Sequence, residues 1–309
     1  MSKKATRQAY GEALVELGKI NENVVVLDAD LTKSTKTNIF QKEFPKRHFN
    51  MGISEADMIG TAAGFAACGK IAFASTFAIF AAGRAYEQIR NSVAYSKLNV
   101  KIAPTHAGIS VGEDGGSHQM IEDIALMRVI PNMVVLSPAD GVETKKMIFA
   151  AAKYNGPVYI RMGRLDVETI FDEETYQFEI GKANVLKQGN DLTIIATGLM
   201  TYEAMKAAEN LEKRGIKARV INCGSIKPLD KDTIIAAAKE TKFIITAEEH
   251  SVIGGLGGAI SELLSENYPT KVLKLGINDE FGQSGKAQEL LEKYGLTSEK
   301  IVEIAESNL

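Results

Sequence analysis

The densest set of reactive side chains lies in a glycine-rich segment, residues 105–119, which reads Thr-His-Ala-Gly-Ile-Ser-Val-Gly-Glu-Asp-Gly-Gly-Ser-His-Gln. It holds two of the four histidines, His106 and His118, next to the acids Glu113 and Asp114. Histidines and carboxylates bind polar ligands and exchange protons near neutral pH. The segment follows a predicted strand, and ligands bind at the carboxyl edge of open α/β sheets. We therefore expect this loop to carry function, against the alternative that His118 and Asp114 only tie it together.

A second candidate is Glu55, in the segment Gly-Ile-Ser-Glu-Ala-Asp-Met at residues 52–58. Ser54 and Asp57 have the spacing of a capping box, and Glu55 in the first helical turn complements the helix dipole. Local structure therefore explains the segment without any function. The helix that follows is strongly apolar, however. If its first turn is buried, desolvation would raise the pKa of the Glu55 carboxyl, which could then donate a proton at neutral pH.

Two aromatic residues, Phe77 and Phe80, stand three positions apart after a predicted strand. Core packing explains most pairs of this kind. At the carboxyl end of a strand, however, two rings could also hold a flat heterocycle between them.

The composition is that of an ordinary folded protein. The 309 residues are 45% hydrophobic and 24% charged, with 27 glycines and 7 prolines, which excludes collagen-like, disordered and coiled-coil chains. Lysine and arginine number 36 against 39 aspartate and glutamate residues, so the net charge is −3. No basic excess indicates a nucleic acid or a membrane surface as partner. An anionic ligand must therefore be bound by local positive charges.

The remaining reactive residues indicate structure rather than function. Cys68 and Cys223 lack the spacing of a metal or disulfide framework, so we expect two buried thiols, no metal site and a reducing cytoplasm. His48 and His250 lack the company of the loop histidines, and we interpret them as structural. The longest apolar tract, residues 58–83, is divided by a Gly-Lys pair into pieces too short to cross a bilayer. We expect no membrane segment.

Short strand-like runs alternate with segments of helical periodicity along the chain. Strands are predicted at 24–27, 71–74, 100–103, 133–136, 158–160, 192–196, 218–221, 243–246 and 272–275. Helices are predicted at 7–19, 55–68, 80–95, 119–127, 142–154, 202–214, 231–239, 258–267 and 286–294. The acidic stretch 164–179 is predicted to be a linker. The alternation predicts an α/β fold of two domains, residues 1–170 and 171–309, each a mostly parallel sheet flanked by helices.

Three of these segments together resemble the pyrimidine-binding domain of transketolases: Gly-Ile-Ser-Glu at 52–55, Ser-Thr-Phe-x-x-Phe at 75–80 and Gly-Glu-Asp-Gly-Gly-Ser-His-Gln at 112–119. Further matching positions are Ala5-Thr6-Arg7, Asp30-Leu31-x-x-Ser34, Gly156-Pro157 with Arg164, and Ile226-Lys227-Pro228-Leu229 with Glu248-Glu249-His250-Ser251. The resemblance covers nearly the whole chain. It implies a thiamine-diphosphate-binding pyrimidine domain followed by a transketolase C-terminal domain.

The resemblance also implies a reaction and its residues. Transketolases use thiamine diphosphate to transfer a two-carbon ketol unit from a ketose phosphate to an aldose phosphate. Glu55 matches the carboxylate that hydrogen-bonds the aminopyrimidine ring and activates the cofactor, and Phe80, with Phe77 beside it, matches the aromatic wall. His118 matches a catalytic histidine at the first carbons of the substrate, and Asp114 a residue that holds a sugar hydroxyl. The sugar-phosphate pocket is matched by Arg7, Ser34, His106 and Arg164, whereas Asp30 matches an architectural position.

Two departures from the transketolase pattern matter. Gly83 stands where another aromatic residue is usual, and residues 84–88, Arg-Ala-Tyr-Glu-Gln, look more like the helix of 1-deoxyxylulose-5-phosphate synthase. The Gly-Asp-Gly motif, which holds the diphosphate and Mg²⁺ or Ca²⁺ in the N-terminal domain of transketolases, does not occur in this sequence. The family therefore implies a split enzyme, in which this chain is the C-terminal subunit and a separate N-terminal subunit carries the motif.

The expected assembly is a hetero-oligomer with two copies of each subunit, active only with the partner, in cytoplasmic pentose phosphate metabolism. Two other enzyme functions stay open: a fragment related to 1-deoxyxylulose-5-phosphate synthase, and the beta subunit of a 2-oxoacid dehydrogenase. A non-catalytic regulatory subunit, which has kept the fold and lost the chemistry, is the alternative from another class.

Overall fold

The strand-like runs form two large sheets in the computed structural model, which describes residues 2–309. The strands are, in chain order, β1 (Lys3–Ala5), β2 (Val24–Asp28), β3 (His48–Asn50), β4 (Ile71–Ser75), β5 (Val100–Ile102), β6 (Val134–Leu136), β7 (Val158–Ile160), β8 (Asp166–Glu168), β9 (Asn184–Lys187), β10 (Leu192–Ala196), β11 (Ala218–Asn222), β12 (Ser225–Lys227), β13 (Ile244–Ser251) and β14 (Val272–Ile277). Every strand predicted from the sequence is present, because continuous apolar runs of this length are typical of strands buried on both faces.

The helices cover both faces of these sheets. In chain order they are α1 (Thr6–Ile20), α2 (Thr32–Thr35), α3 (Thr37–Glu43), α4 (Glu55–Ala67), α5 (Tyr86–Gln88), α6 (Asp123–Val129), α7 (Gly141–Lys153), α8 (Met200–Glu212), α9 (Lys231–Glu240), α10 (Leu256–Asn267), α11 (Ala287–Lys293) and α12 (Ser298–Glu306). None of the helices in residues 2–309 is both long enough and apolar enough to cross a membrane.

The first sheet has seven strands in the order β12-β6-β7-β5-β4-β2-β3, and all neighbours are parallel except β12 and β6. The second has five strands in the order β14-β13-β10-β11-β9, again parallel except for the β9–β11 pair. The predicted α/β architecture of two mostly parallel sheets is therefore confirmed. Strand β12 comes from the second half of the chain and forms an edge of the first sheet.

Several local predictions are corrected. The segment predicted as one helix at 80–95 is π-helical at Ile79–Arg84 and Ile89–Tyr95, around the short α5. The helix predicted at 119–127 begins only at Asp123, because Met120 still bridges to Ala107 in the preceding loop. The predicted linker contains β8, which pairs with β1.

The predictions of a capping box at Ser54 and of a buried thiol at Cys68 are also wrong. The Ser54 side chain caps no N–H of α4, and its backbone angles, φ −150° and ψ 70°, are not the extended ones of an N-cap residue. Cys68 is exposed, since the chain leaves α4 there and turns at Gly69. Cys223 is buried, and burial raises the pKa of its thiol.

The two isolated histidines are both buried. Neither ring nitrogen of His48 has a hydrogen-bond partner among the described residues, and burial lowers its pKa to about 4. In His250, Nε2 accepts from the backbone N–H of Ala125 at 3.4 Å and Nδ1 contacts the Ser251 carbonyl at 2.8 Å. His250 therefore ties β13 to the start of α6.

Candidate active site

Glu55 is the first residue of α4 and is 2% exposed. Its two carboxylate oxygens accept hydrogen bonds from Nη1 of Arg84, at 2.9 and 2.8 Å. Arg84 ends the first π-helical segment, and its side chain is 52% exposed. Asp57, in the same helical turn, lies on the exposed side. The buried carboxylate is therefore held by one guanidinium that solvent, or a ligand, can reach.

A row of flat rings begins at that guanidinium, which lies 4.5 Å from the centre of the Phe80 ring. The rings of Phe80 and Phe77 are nearly parallel, at 12° and 5.9 Å between centroids. Phe77 stacks on His106 at 3.9 Å, and the rings of His118 and Phe80 are nearly perpendicular, with 5.6 Å between their centroids. These contacts join the Glu55 end of α4 to the glycine-rich loop. Since Phe80 is only partly buried, one side of the row is accessible.

A positively charged group lies beside the row. Arg7, in α1, donates from Nη1 to the Ser34 carbonyl at 2.8 Å and from Nε to the Arg164 carbonyl at 3.1 Å. Arg164 donates to the Val111 carbonyl and forms an ion pair with Glu113 at 3.2 Å. The structure thus brings Arg7, Ser34 and Arg164 together, although Ser34 contributes its carbonyl and not its hydroxyl.

The electrostatics of this group favour an anion. Burial, and then the charge of Arg164, lower the pKa of Arg7. Burial and the two guanidinium charges also lower the pKa of His106 to about 3, so its ring is neutral at pH 7. A phosphate or carboxylate that both guanidinium groups can bind would offset the repulsion between their two like charges.

The remaining candidates differ in how they are held. Asp114 is exposed, and its carboxylate makes no hydrogen bond within residues 2–309. Nδ1 of His118 lies 3.0 Å from the Ser117 hydroxyl. Asp114 is exposed and His118 is partly exposed, so a ligand can reach both. Asp30 lies apart: its Oδ1 accepts from Nδ2 of Asn50 at 3.1 Å, and this contact links the turns after β2 and β3.

The described residues hold no group of three or more His, Cys, Asp or Glu side chains arranged for a metal ion. The same part of the chain leaves open space at Gly83: a Cβ atom placed there would meet only Cδ1 of Ile79, at 3.9 Å. A larger side chain at this exposed position would therefore meet little besides Ile79.

Both halves of the chain match domains of one known family. The profile described as transketolase, pyrimidine binding domain, matches residues 2–169, and that of the transketolase C-terminal domain matches residues 181–301. The chain belongs to the transketolase family. A Methanocaldococcus jannaschii protein named as a transketolase C-terminal section is 57% identical over 300 residues, which are 96% of this chain and 94% of that protein.

Other transketolase relatives act, by name, on less common sugars. The 6-deoxy-6-sulfo-D-fructose transketolase subunit of Clostridium sp. (strain MSTE9) is 42% identical, over 97% of this chain and 92% of its own length. Among solved structures, one described as a split gene transketolase, inactive beta4 tetramer, is 56% identical with a TM-score of 0.92, covering 98% of this chain and 97% of its own. The Campylobacter jejuni transketolase is 29% identical with a TM-score of 0.84, covering 99% of this chain and 47% of its own.

Two residues of this transketolase-family site were not predicted as functional. Arg84 appeared in the sequence only as part of a synthase-like helix, although its i,i+4 spacing from Phe80 places the two side chains on one helical face. Gln119 closes the glycine-rich loop motif and was assigned no role. It is 3% exposed and hydrogen-bonded to three carbonyl groups.

Proposed function

We propose that this chain is the C-terminal subunit of a split transketolase, with residues 1–170 as pyrimidine-binding domain and 171–309 as C-terminal domain. With an N-terminal subunit it transfers a two-carbon ketol unit between a ketose phosphate and an aldose phosphate. One observation carries the proposal: a buried carboxylate, an aromatic row and a cationic group follow one another along a single edge of the first sheet.

The residues present fit thiamine diphosphate. Glu55 offers a buried carboxylate whose partner, Arg84, is half exposed and so can be exchanged for a ring nitrogen of the cofactor. Phe77 and Phe80 supply the flat wall for the pyrimidine. When bound, the cofactor supplies the electron sink for the two-carbon unit. Glu55 hydrogen-bonds the pyrimidine ring, and His118 is the side chain that exchanges protons with the substrate.

The diphosphate and its metal are assigned to the partner subunit. This chain has no Gly-Asp-Gly motif, so we propose that the N-terminal subunit holds Mg²⁺ or Ca²⁺. The solved relative described as an inactive beta4 tetramer supports a requirement for the other subunit. A heterotetramer with two copies of each is the assembly we propose, in cytoplasmic pentose phosphate metabolism.

The substrate is proposed to be a sugar with an anionic group. Arg7, His106 and Arg164 form the anion site, with Ser34 at its edge, and Asp114 binds a sugar hydroxyl. Two relatives are named for sugars that carry an anionic group. One is named for 6-deoxy-6-sulfo-D-fructose, a sulfonate, and the other, 40% identical and from Phocaeicola vulgatus, for apulose 4-phosphate. Both groups present three oxygens to a guanidinium fork. The proposal therefore covers both classes of anion.

The deciding experiment is a coupled assay of ketol transfer from xylulose 5-phosphate to ribose 5-phosphate, with thiamine diphosphate and Mg²⁺. It is run on this chain alone and on its mixture with the protein of the same organism that carries the Gly-Asp-Gly domain. We expect activity in the mixture and none with this chain by itself. A parallel assay replaces the ketose phosphate with 6-deoxy-6-sulfo-D-fructose.

Two other outcomes would overturn the proposal. Consumption of pyruvate by the mixture, without ketol transfer, would assign the chain to the deoxyxylulose-phosphate synthase or 2-oxoacid dehydrogenase branch. Binding of thiamine diphosphate by the mixture without turnover of any of these sugars would indicate a regulatory subunit.

A further inference from the structure

We propose that the C-terminal domain positions the substrate loop of the proposed active site. Residues 280–286, between β14 and α11, form a strap across the glycine-rich loop 105–119, and Gln119 is the positioning residue that joins the two. The proposal rests on the proposed function, because His106, Asp114 and His118 are the substrate residues of that loop. It gives the second domain a role in the reaction although it contributes no side chain to the site.

Gln119 is the centre of the contact. Its Nε2 faces three carbonyl oxygens, those of Ile109 and Gly112 at 3.2 Å each and that of Gln283 in the strap at 2.9 Å, and its two hydrogens are shared among them. Three acceptors surround this atom, so only the amide nitrogen can stand there. Because the side chain is 3% exposed, water cannot replace it. One amide thus joins the turn at residues 109–112 of the loop to the other domain.

The backbones of loop and strap are also in direct contact. The Ser284 hydroxyl donates to the Glu113 carbonyl at 2.7 Å. A Cβ atom on Gly116 would lie 2.6 Å from the Gly282 carbonyl oxygen, and one on Gly282 would overlap Oε1 of Gln119. Both glycines are therefore required by close approach. The strap lies directly over the two residues between Asp114 and Ser117.

A second attachment lies at the start of the loop. Oε1 of Glu249, in β13, accepts from the backbone N–H of Ser110 at 2.6 Å. A Cβ atom on Gly108 would overlap the same carboxylate. Glu249 is 4% exposed, so this hydrogen bond is shielded from water. The second domain consequently holds the loop at both ends of the segment from Gly108 to Gln119.

The strap is itself anchored to its own domain. The Tyr294 hydroxyl, just after α11, donates to the Phe281 carbonyl at 3.1 Å, and Lys293 binds the Gln283 side chain. Glu55 makes its side-chain contacts with Arg84, inside the first domain. Loosening the strap should therefore disturb substrate binding more than cofactor binding, because the loop meets the cofactor side only where His106 and His118 pack on Phe77 and Phe80.

The test compares Gln119→Leu with Gln288→Leu, the same substitution at an exposed position on α11. With the partner subunit present, Gln119→Leu should lower kcat/KM for the ketose phosphate by about tenfold or more, since misplacement of about 1 Å can cost 10²-fold. The thiamine diphosphate concentration for half-maximal activity should change by less than about twofold. Gln288→Leu should match the wild type in both.

Two further variants act from the strap side, and the milder of them, Ser284→Ala, guards against misfolding. Gly282→Ala pushes on Gln119 from the strap, and Ser284→Ala removes one exposed hydrogen bond, so their losses of kcat/KM should be graded in that order below Gln119→Leu. Unchanged kcat/KM in all three variants would overturn the proposal. An equal loss of cofactor affinity would also overturn it, because the strap would then act on overall stability.

Hydrogen exchange separates this proposal from the proposed function. In the chain alone, without partner or substrate, the amides of residues 108–119 should exchange faster in Gln119→Leu and Gly282→Ala than in the wild type or Gln288→Leu. If the wild-type mixture transfers no ketol unit, the proposed function fails while this readout still tests the strap. Equal exchange rates in all four proteins would show that the strap does not position the loop.

Discussion

The two sheets end in carboxyl edges that the molecule uses in opposite ways. At the carboxyl edge of the first sheet, Phe80 follows β4 and His118 follows β5, and solvent can reach both side chains. The second sheet turns its edge onto the first domain. Its contacts there are Thr197 Oγ1 to the Ser137 carbonyl at 3.2 Å, Asn222 Nδ2 to Glu143 Oε1 at 2.8 Å, and Glu249 Oε1 to the Ser110 N–H at 2.6 Å.

The difference shows when the rule for open α/β sheets applies. That rule places ligands at the carboxyl edge, but an edge that another domain covers has no room for one. The polar groups of the covered edge are satisfied by protein partners, and they serve to join the domains. A polar group at the open edge, such as Glu55 with its exposed partner, stays available for chemistry.

The sharpest test of this comparison is Glu55→Gln, at the open edge. An amide cannot exchange a proton with the cofactor ring, so kcat should fall by about 10²-fold or more, the usual scale for general acid–base groups. The coupled ketol-transfer assay with the partner subunit measures it. Asp57→Asn, in the same helical turn but exposed, should keep near-normal turnover. Normal turnover of Glu55→Gln would remove Glu55 from the mechanism.

Arg84→Met should lower the stability of the protein, because Arg84 is the partner of Glu55. It leaves the Glu55 carboxylate buried without its partner, and an unsatisfied buried group of this kind costs about 1–3 kcal/mol. Urea denaturation at fixed protein concentration measures the loss. The double variant Glu55→Gln with Arg84→Met should recover part of it, because the uncompensated charge is gone. Additive losses would contradict the pairing, and exposed Arg90→Met serves as control.

Glu143, at the covered edge, should respond to pH and not to substrate. Burial raises the pKa of its carboxyl from 4.5 to about 7. Between those values the folded chain holds the proton and the unfolded chain does not, so this group makes the free energy of unfolding fall as pH rises. Its stabilising contribution is complete below pH 4.5 and lost as pH rises through about 7.

Denaturation of Glu143→Gln at several pH values checks this expectation. The difference in free energy of unfolding between wild type and variant should change across that window and be flat on both sides, since glutamine does not titrate. Exposed Glu266→Gln should follow the wild-type profile. A constant difference between wild type and Glu143→Gln at every pH would show that Glu143 does not titrate in the window.

The smallest effect is expected at Gly83, where the open edge has space. Its Cβ atom would approach nothing closer than 3.9 Å, so Gly83→Ala should change the free energy of unfolding by less than about 1 kcal/mol, in the stabilising direction. Gly116→Ala, which meets the Gly282 carbonyl oxygen, should lower stability by more. The same urea titration ranks the two, and the reverse order would contradict the contrast between the open position of Gly83 and that of Gly116, which the strap covers.

Much of the fold could be predicted because the signals are local. A run such as Val24–Leu27 is apolar at every position, and helical periods recur every three to four residues, so strands and helices are visible in short windows. The residues of the open edge belong to contiguous motifs, at 52–55, 75–80 and 112–119. The structure brings Glu55, Phe80 and His118 into one connected group.

Contacts between distant segments, and backbone angles that residue types do not set, decided the rest. Strand β12 pairs with β6 from the other half of the chain, and its three residues have no periodicity that could reveal this. The capping box failed because the backbone angles of Ser54, which its spacing to Asp57 does not set, are wrong for an N-cap.

The amino-acid sequence by itself determined the alternation of strands and helices, the family, and the residue types on which the proposed chemistry rests, since each depends on neighbours in the chain. Only the tertiary structure decided that Arg84 holds Glu55, that the second sheet's edge is covered, and that Gln119 meets a carbonyl 164 residues away. The reason is physical: a hydrogen bond depends on distances of about 3 Å in space, and separation along the chain does not set them.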